Sequence, residues 1–275
     1  AGADLVGSLP GQSCSPASRR LVKVSRGPTL RLLAVTALTL VPLGTVYLPV
    51  GVAGSLLAVV IGVLAVRAED WPATRVAAMA ALLALIGSTG VPFAIWVVVG
   101  VMWLASRKVP EMMPASGWLP GGAGRPAAWW LSGLTVAAAG AALVLWATWT
   151  DEFSGATTDT VDAVRDLPLV FIVAAVAGFV TLNAISEEVA YRSIAYETAA
   201  SMFSPAGAVI AQAVAFGALH IVGFPAGPVG VGLAFMYGLA LGTLRHLTAG
   251  LRFPVIVHMA ADTTIAILAL TLIPG

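Results

Sequence analysis

A small set of ionisable side chains falls within the apolar segments of the carboxyl-terminal half of this sequence. The set comprises Glu187, Glu188, Arg192, His220, His258 and Asp262. Ionisable groups are costly inside segments of this kind, so each of them is a candidate functional residue. A carboxylate can take a proton from water, while an imidazole can bind a metal ion or stabilise a developing oxyanion. The residue types therefore indicate hydrolytic chemistry.

Spacing separates the two adjacent glutamates into different roles. Glu188 and Arg192 are four residues apart, so on a helix they share one face and can form an ion pair. Glu187 lies about 100° round the helix from Glu188 and is left to face another partner. An ion pair that only holds helices together is the alternative to a catalytic role for Glu188 and Arg192. His258 and Asp262 have the same spacing, which allows Asp262 to orient the imidazole.

Chain geometry predicts that these residues meet at one depth. Residues 168–202 are predicted to form one long helix, and residues 206–222 run back antiparallel to it after a turn. Glu187 precedes the end of the first helix by 15 residues, and His220 follows the turn by 15 residues. Both therefore lie roughly 22 Å from the turn at the helical rise per residue. His258 lies near the start of the last apolar segment, at a similar level.

The composition requires a membrane protein. Of the 275 residues, 59% are hydrophobic and 10% are charged, which is too apolar for a soluble surface. Long apolar runs without inside–outside alternation indicate helices rather than a barrel. We predict an all-α polytopic transmembrane bundle of about nine spans, with an active-site core in the last four helices. The predicted spans are two between Arg31 and Arg67 that turn near Pro49 and Gly51, two within 76–106 separated at 87–92, and single spans at 127–149, 168–188, 209–224, 228–244 and 254–273.

Three regions follow along the chain. Residues 1–28 are predicted to be a flexible tail, residues 29–164 to hold the first helices and an acidic loop, and residues 165–275 to form the core. Cys14 is the single cysteine, so an intramolecular disulfide and a cysteine-based zinc site are excluded, and we expect a free thiol.

The charge distribution predicts the orientation. Most basic residues lie in the tail and in the loops at 67–75 and 107–125, whereas residues 150–167 carry five acidic residues against one arginine. By the positive-inside rule we expect a cytoplasmic amino terminus, an external acidic loop and an external carboxyl terminus in the cell membrane. The abundance of Arg over Lys, with much Ala, Gly and Val, favours a bacterial source. The lipid bilayer is an expected partner and nucleic acid is not.

Three short motifs carry a resemblance to a known family over residues 165–273. They are Glu187-Glu188-Val189-Ala190-Tyr191-Arg192 as E-E-x-x-x-R, Phe216-Gly217-Ala218-Leu219-His220 as F-x-x-x-H, and His258-Met259-Ala260-Ala261-Asp262 as H-x-x-x-N/D. Each motif alone is weak, but their order and their places on three different spans are specific. Together they resemble the CAAX prenyl-protease and bacteriocin-processing family of intramembrane proteases, also called the Abi family.

The resemblance implies hydrolysis of a peptide bond by water in a membrane-associated peptide or protein. Glu187 would be the general base, with Glu188 and Arg192 in support. His220 would activate water or hold a metal, and His258 with position 262 would stabilise the oxyanion or complete a metal site.

Metal dependence is open at this stage, and so is the part played by position 262. Glu187, His220 and His258 are candidate zinc ligands, and a glutamate mechanism without metal is the alternative. The family often has Asn where this chain has Asp262, and an ionised carboxylate cannot donate a hydrogen bond to an oxyanion. A ligand or orienting role for Asp262 therefore gains weight.

Two other classes of function compete with a protease. A non-catalytic scaffold or bacteriocin-immunity protein could retain the polar cluster for helix packing. A solute transporter should show broken helices at the membrane midplane and repeat symmetry, and the sequence contains no clear internal repeat.

Overall fold

The computed structural model describes residues 27–86, 91–114, 124–150 and 156–272, and over these ranges the chain is helical without any strand. The all-α prediction is thus confirmed. The helices are α1 Gly27–Leu43, α2 Leu48–Arg67, α3 Trp71–Ile86, α4 Val91–Ser106, a short 3-10 helix Pro110–Met112, α5 Pro126–Trp149, α6 Ala156–Arg165, α7 Leu169–Glu188, a π-helix Val189–Ala195, α8 Tyr196–Ala200, α9 Pro205–Leu219, α10 Gly227–Thr248 and α11 Arg252–Leu272.

The helices have the lengths and surfaces of a multi-pass membrane protein. Among the described residues, five helices are long and apolar enough to cross a membrane, with α7, the π-helix and α8 counted as one continuous helix, Leu169–Ala200. Four shorter apolar helices accompany them, which agrees with about nine spans. Large apolar side chains such as Leu56 and Trp130 are exposed on the outer faces. An apolar surface of this extent suits lipid rather than water.

The first predicted turn is wrong by a few residues. The chain turns between Leu43 and Leu48, so Pro49 occupies the first turn of α2, where its missing N–H costs no helical hydrogen bond. Gly51 lies within α2, and a Cβ on it would meet the backbone of Gly44. This glycine therefore allows α1 and α2 to approach closely instead of turning the chain.

Two further predictions about loops need correction. Residues 150–167 are not entirely a loop, because α6 lies within them. Arg165 at its end donates from Nη2 to the carbonyl oxygens of Ala269 and Leu270, at 3.1 and 2.7 Å. These carbonyls belong to the last turn of α11, which has no intrahelical donors for them. Arg75, predicted in a basic loop, is the fifth residue of α3 and is buried.

The amino-terminal helices support the helix that carries the two glutamates. Leu38, Met79 and Ile95 belong to one buried apolar cluster with Tyr191 and Ile194 of the π-helix. Packing against this cluster holds the π-helix in position. Residues 1–26 of the predicted tail, which include Cys14, lie outside the described residues. The last two residues of the predicted tail, 27 and 28, begin α1.

Candidate functional site

The two glutamates stand where the long helix changes its winding. Glu187 and Glu188 are the last residues of α7, and the π-helix Val189–Ala195 follows directly, with all seven residues buried. The sequence predicted an uninterrupted α-helix here. π-Helical turns are rare, and they occur frequently at functional sites.

The predicted turn is confirmed further on, since α9 begins at Pro205 with the Ser204 hydroxyl accepting from the Gly207 amide.

Glu188 lies completely out of contact with solvent and joins two partners through one oxygen. Its Oε1 accepts a hydrogen bond from His258 Nδ1 at 2.7 Å and lies 3.0 Å from Arg192 Nη1. The predicted ion pair between Glu188 and Arg192 is therefore confirmed. Although 3.0 Å is short, the guanidinium nitrogens are not aligned as hydrogen-bond donors, so the contact is a charge pair. The Arg192 guanidinium also lies 4.3 Å from the centre of the Phe216 ring.

The second nitrogen of His258 faces two further carboxyl groups. Nε2 lies 3.5 Å from Glu187 Oε2 and 3.7 Å from Asp262 Oδ1. The Asp262 distance is too long for a hydrogen bond, so Glu188, and not Asp262, fixes the His258 ring. Asp262 instead accepts a hydrogen bond from Asn183 Nδ2 at 3.2 Å. Three polar atoms from α7 and α11 thus surround one small space.

His220 is the remaining residue of this polar group. It follows the end of α9 at Leu219, whereas the sequence predicted a helix as far as residue 222. Glycines and a proline at 223–227 explain the early end, because they are poor helix formers. His220 Nδ1 donates to the Phe216 carbonyl at 3.0 Å, which leaves Nε2 unprotonated in the neutral ring. The Phe216 and His220 rings pack with centroids 4.7 Å apart.

A cavity of about 660 Å³ connects these groups with an apolar wall. Glu187, His220, His258 and Asp262 line its polar side, so the predicted convergence of these residues is confirmed. Glu188 and Arg192 lie behind that side and are fully buried. The apolar side includes residues of α5, namely Leu131, Leu134, Thr135, Ala138, Ala139, Ala142 and Leu143.

The sequence interpretation missed several lining residues. Asn183 precedes Glu187 by four residues, and this helical spacing could have identified it. Tyr237 belongs to none of the three motifs, yet it lines the cavity, and its ring lies edge-on to His258 with the centroids 5.7 Å apart. Its hydroxyl donates to the Val257 carbonyl at 3.1 Å. No sequence signal marked Tyr237 or α5, because neither belongs to a polar motif.

Metal binding requires donor side chains that converge on one point. Within the ranges that the structure describes, no group of three His, Cys, Asp or Glu side chains is arranged to hold one. Glu187, His220 and His258 share the cavity, but this arrangement does not make them a ligand set. Zinc dependence stays a prediction.

Comparison with known proteins shows what the carboxyl-terminal part of the chain is similar to. Residues 167–264 match the family model described as type II CAAX prenyl endopeptidase Rce1-like. This match confirms the resemblance to the CAAX prenyl-protease and bacteriocin-processing family, and it contains all six predicted site residues. Helices α1 to α6 lie outside it. No curated protein and no solved structure matches the chain.

Proposed function

We propose that this multi-pass membrane protein, with its CAAX-endopeptidase-like domain, hydrolyses a peptide bond in a membrane-associated protein or peptide. The observation that carries the proposal is the arrangement of Glu187 Oε2 at 3.5 Å and Asp262 Oδ1 at 3.7 Å around His258 Nε2, on the wall of a cavity. These separations suit polar groups that share one water molecule.

Glu187 is the proposed general base. It lines the cavity, whereas Glu188 is enclosed between Arg192 and His258. The water oxygen adds to the carbonyl carbon of the peptide bond, and Glu187 takes a proton from this water as it does so. The carbonyl π bond becomes a lone pair on the oxyanion. When the tetrahedral intermediate collapses, the C–N bond breaks and Glu187 returns the proton to the leaving nitrogen.

His258 is the proposed oxyanion donor. When protonated, it donates through Nδ1 to Glu188 and presents its Nε2–H to the cavity, where the oxyanion forms. Asp262 accepts a hydrogen bond from the Asn183 side-chain amide and is proposed to orient the attacking water. His220 donates from Nδ1 to the Phe216 carbonyl, so its Nε2 is an acceptor on the cavity wall.

The cavity wall supports a membrane-associated substrate. Ala138 and Ala142 of α5 line the cavity, and so does Phe179 of α7, which is 43% exposed. An apolar segment held in the bilayer can pack against such a wall without leaving an apolar environment. The substrate proposed is therefore a peptide whose scissile bond lies next to a lipid-embedded segment.

The decisive experiment replaces the base by its isostere. Purified wild-type protein, Glu187→Gln and the control Glu111→Gln would be reconstituted in liposomes with a pool of membrane-anchored peptides, and products identified by mass spectrometry. Loss of general-base catalysis should lower the rate by about 10²–10⁴. Glu111 is an exposed carboxyl group in the 3-10 helix, so its variant should cleave at the wild-type rate.

Two outcomes would reject the proposal. One is undiminished cleavage by Glu187→Gln of a peptide that the wild type cleaves. The other is failure of the wild type to cleave any member of the pool, in which case a non-catalytic scaffold explains the polar cluster better.

A further inference from the structure

Arg245, near the end of α10, lies outside the three motifs yet contacts the backbone of the π-helix. Its Nε donates to the Arg192 carbonyl oxygen at 3.0 Å, in a buried contact between helices. Its Nη2 lies 3.6 Å from Glu197 Oε1, and its guanidinium lies 5.4 Å from the centre of the Tyr196 ring. The residue is only 7% exposed. Arg245 is thus held by groups on both sides of the junction between the π-helix and α8.

The carbonyl that Arg245 contacts is the one that would accept from the Tyr196 amide in an α-helix. In an α-helix the Tyr196 amide would donate to the carbonyl four residues earlier, that of Arg192. Here the Tyr196 amide donates to the carbonyls of Tyr191 and Ser193 on either side of it. Arg245 supplies the Arg192 carbonyl with a charged donor in its place. Hydrogen bonds of this kind are stronger than neutral ones.

A short series of contacts leads from this carbonyl to the cavity. Arg192 pairs with Glu188 at 3.0 Å, Glu188 accepts from His258 Nδ1 at 2.7 Å, and His258 Nε2 lies 3.5 Å from Glu187. Moving the Arg192 backbone therefore moves the counter-charge of Glu188. Reorientation of Glu188 would turn the His258 ring, because that hydrogen bond is the one that fixes it.

We infer that Arg245 is a positioning residue, which holds the π-helix in register so that Glu188 and His258 stay aligned with Glu187. The inference rests on the proposed function. It concerns the backbone of the π-helix, and no substrate atom needs to contact Arg245.

Arg245→Lys is the sharpest test, because it keeps a positive charge near Glu197 but removes the planar Nε donor. The matched control is Arg252→Gln, which alters an exposed arginine at the start of α11. With a peptide that the wild type cleaves, we expect Arg245→Lys to lower kcat about tenfold or more, since small misplacements of catalytic groups have effects of this size. KM should stay within about twofold, and Arg252→Gln should match the wild type.

Hydrogen–deuterium exchange provides the readout that does not depend on cleavage. Amides of residues 189–200 should exchange faster in Arg245→Lys than in the wild type and in Arg252→Gln, while those of α5 should not change. Arg245→Gln should enlarge both effects, and if it fails to fold, Arg245→Lys decides alone.

The outcomes separate this inference from the proposed function. Unchanged kcat in Arg245→Lys, a change in KM alone, or unchanged exchange over residues 189–200 would each overturn it. If the wild type cleaves no peptide, the proposed function fails, and the exchange result alone decides whether Arg245 holds the π-helix.

Discussion

Glu188→Gln should cost far more stability than Glu187→Gln, although the two substitutions are chemically identical. Glu188 and Arg192 are both 0% exposed, and their charges lie 3.0 Å apart. Removing the negative charge leaves a buried guanidinium without its nearest counter-charge, and breaking such a pair costs about 3–5 kcal/mol. The amide oxygen of Gln can still accept from His258, so that hydrogen bond is weakened rather than lost.

Glu187 has a different environment. It borders the cavity, and its oxygen lies 3.5 Å from His258 Nε2, which is longer than a charge-assisted hydrogen bond. We therefore expect Glu187→Gln to change the free energy of unfolding by less than about 1 kcal/mol. Glu188→Gln should lower it by about 3 kcal/mol.

Reversible unfolding in mixed detergent micelles, followed by tryptophan fluorescence, measures both values. The double variant Glu188→Gln/Arg192→Gln serves as the internal control, because removing both charges should be less destabilising than removing one. Equal losses of stability in Glu187→Gln and Glu188→Gln would refute the reasoning. So would a double variant that is more destabilised than Glu188→Gln alone.

Three further predictions concern the cavity, metal and orientation. Ala142→Phe should fill the apolar side and lower kcat/KM about tenfold, whereas Ala141→Phe, on an exposed position of the same helix outside the cavity lining, should leave it unchanged. If zinc is required, elemental analysis of active protein should give about one equivalent and chelators should abolish cleavage; active protein without metal would favour the glutamate mechanism. A cysteine at position 159 in a Cys14→Ser background should be labelled only from outside the cell, and labelling only from the cytoplasm would reverse the orientation.

The sequence determined the class of structure and the chemical groups of the site. Long apolar runs can only be helices in a bilayer, because every backbone polar group must be satisfied within its own segment. The i, i+4 spacing of Glu188 and Arg192 predicted their ion pair, since helical periodicity is a local property of the chain. Counting residues on both sides of one turn was enough to bring Glu187 and His220 to the same cavity.

Contacts between distant segments were decided by the tertiary structure alone. The His258 ring is fixed by the hydrogen bond that it donates to Glu188, 70 residues away, although Asp262 has the i, i+4 spacing that predicted this role. Tyr237 and the α5 wall carry no polar motif, so only packing reveals that they line the cavity. The contact at the π-helix is likewise non-local: the Arg192 carbonyl accepts from Arg245 of another helix, and local helical propensity contains no information about a donor 53 residues along the chain.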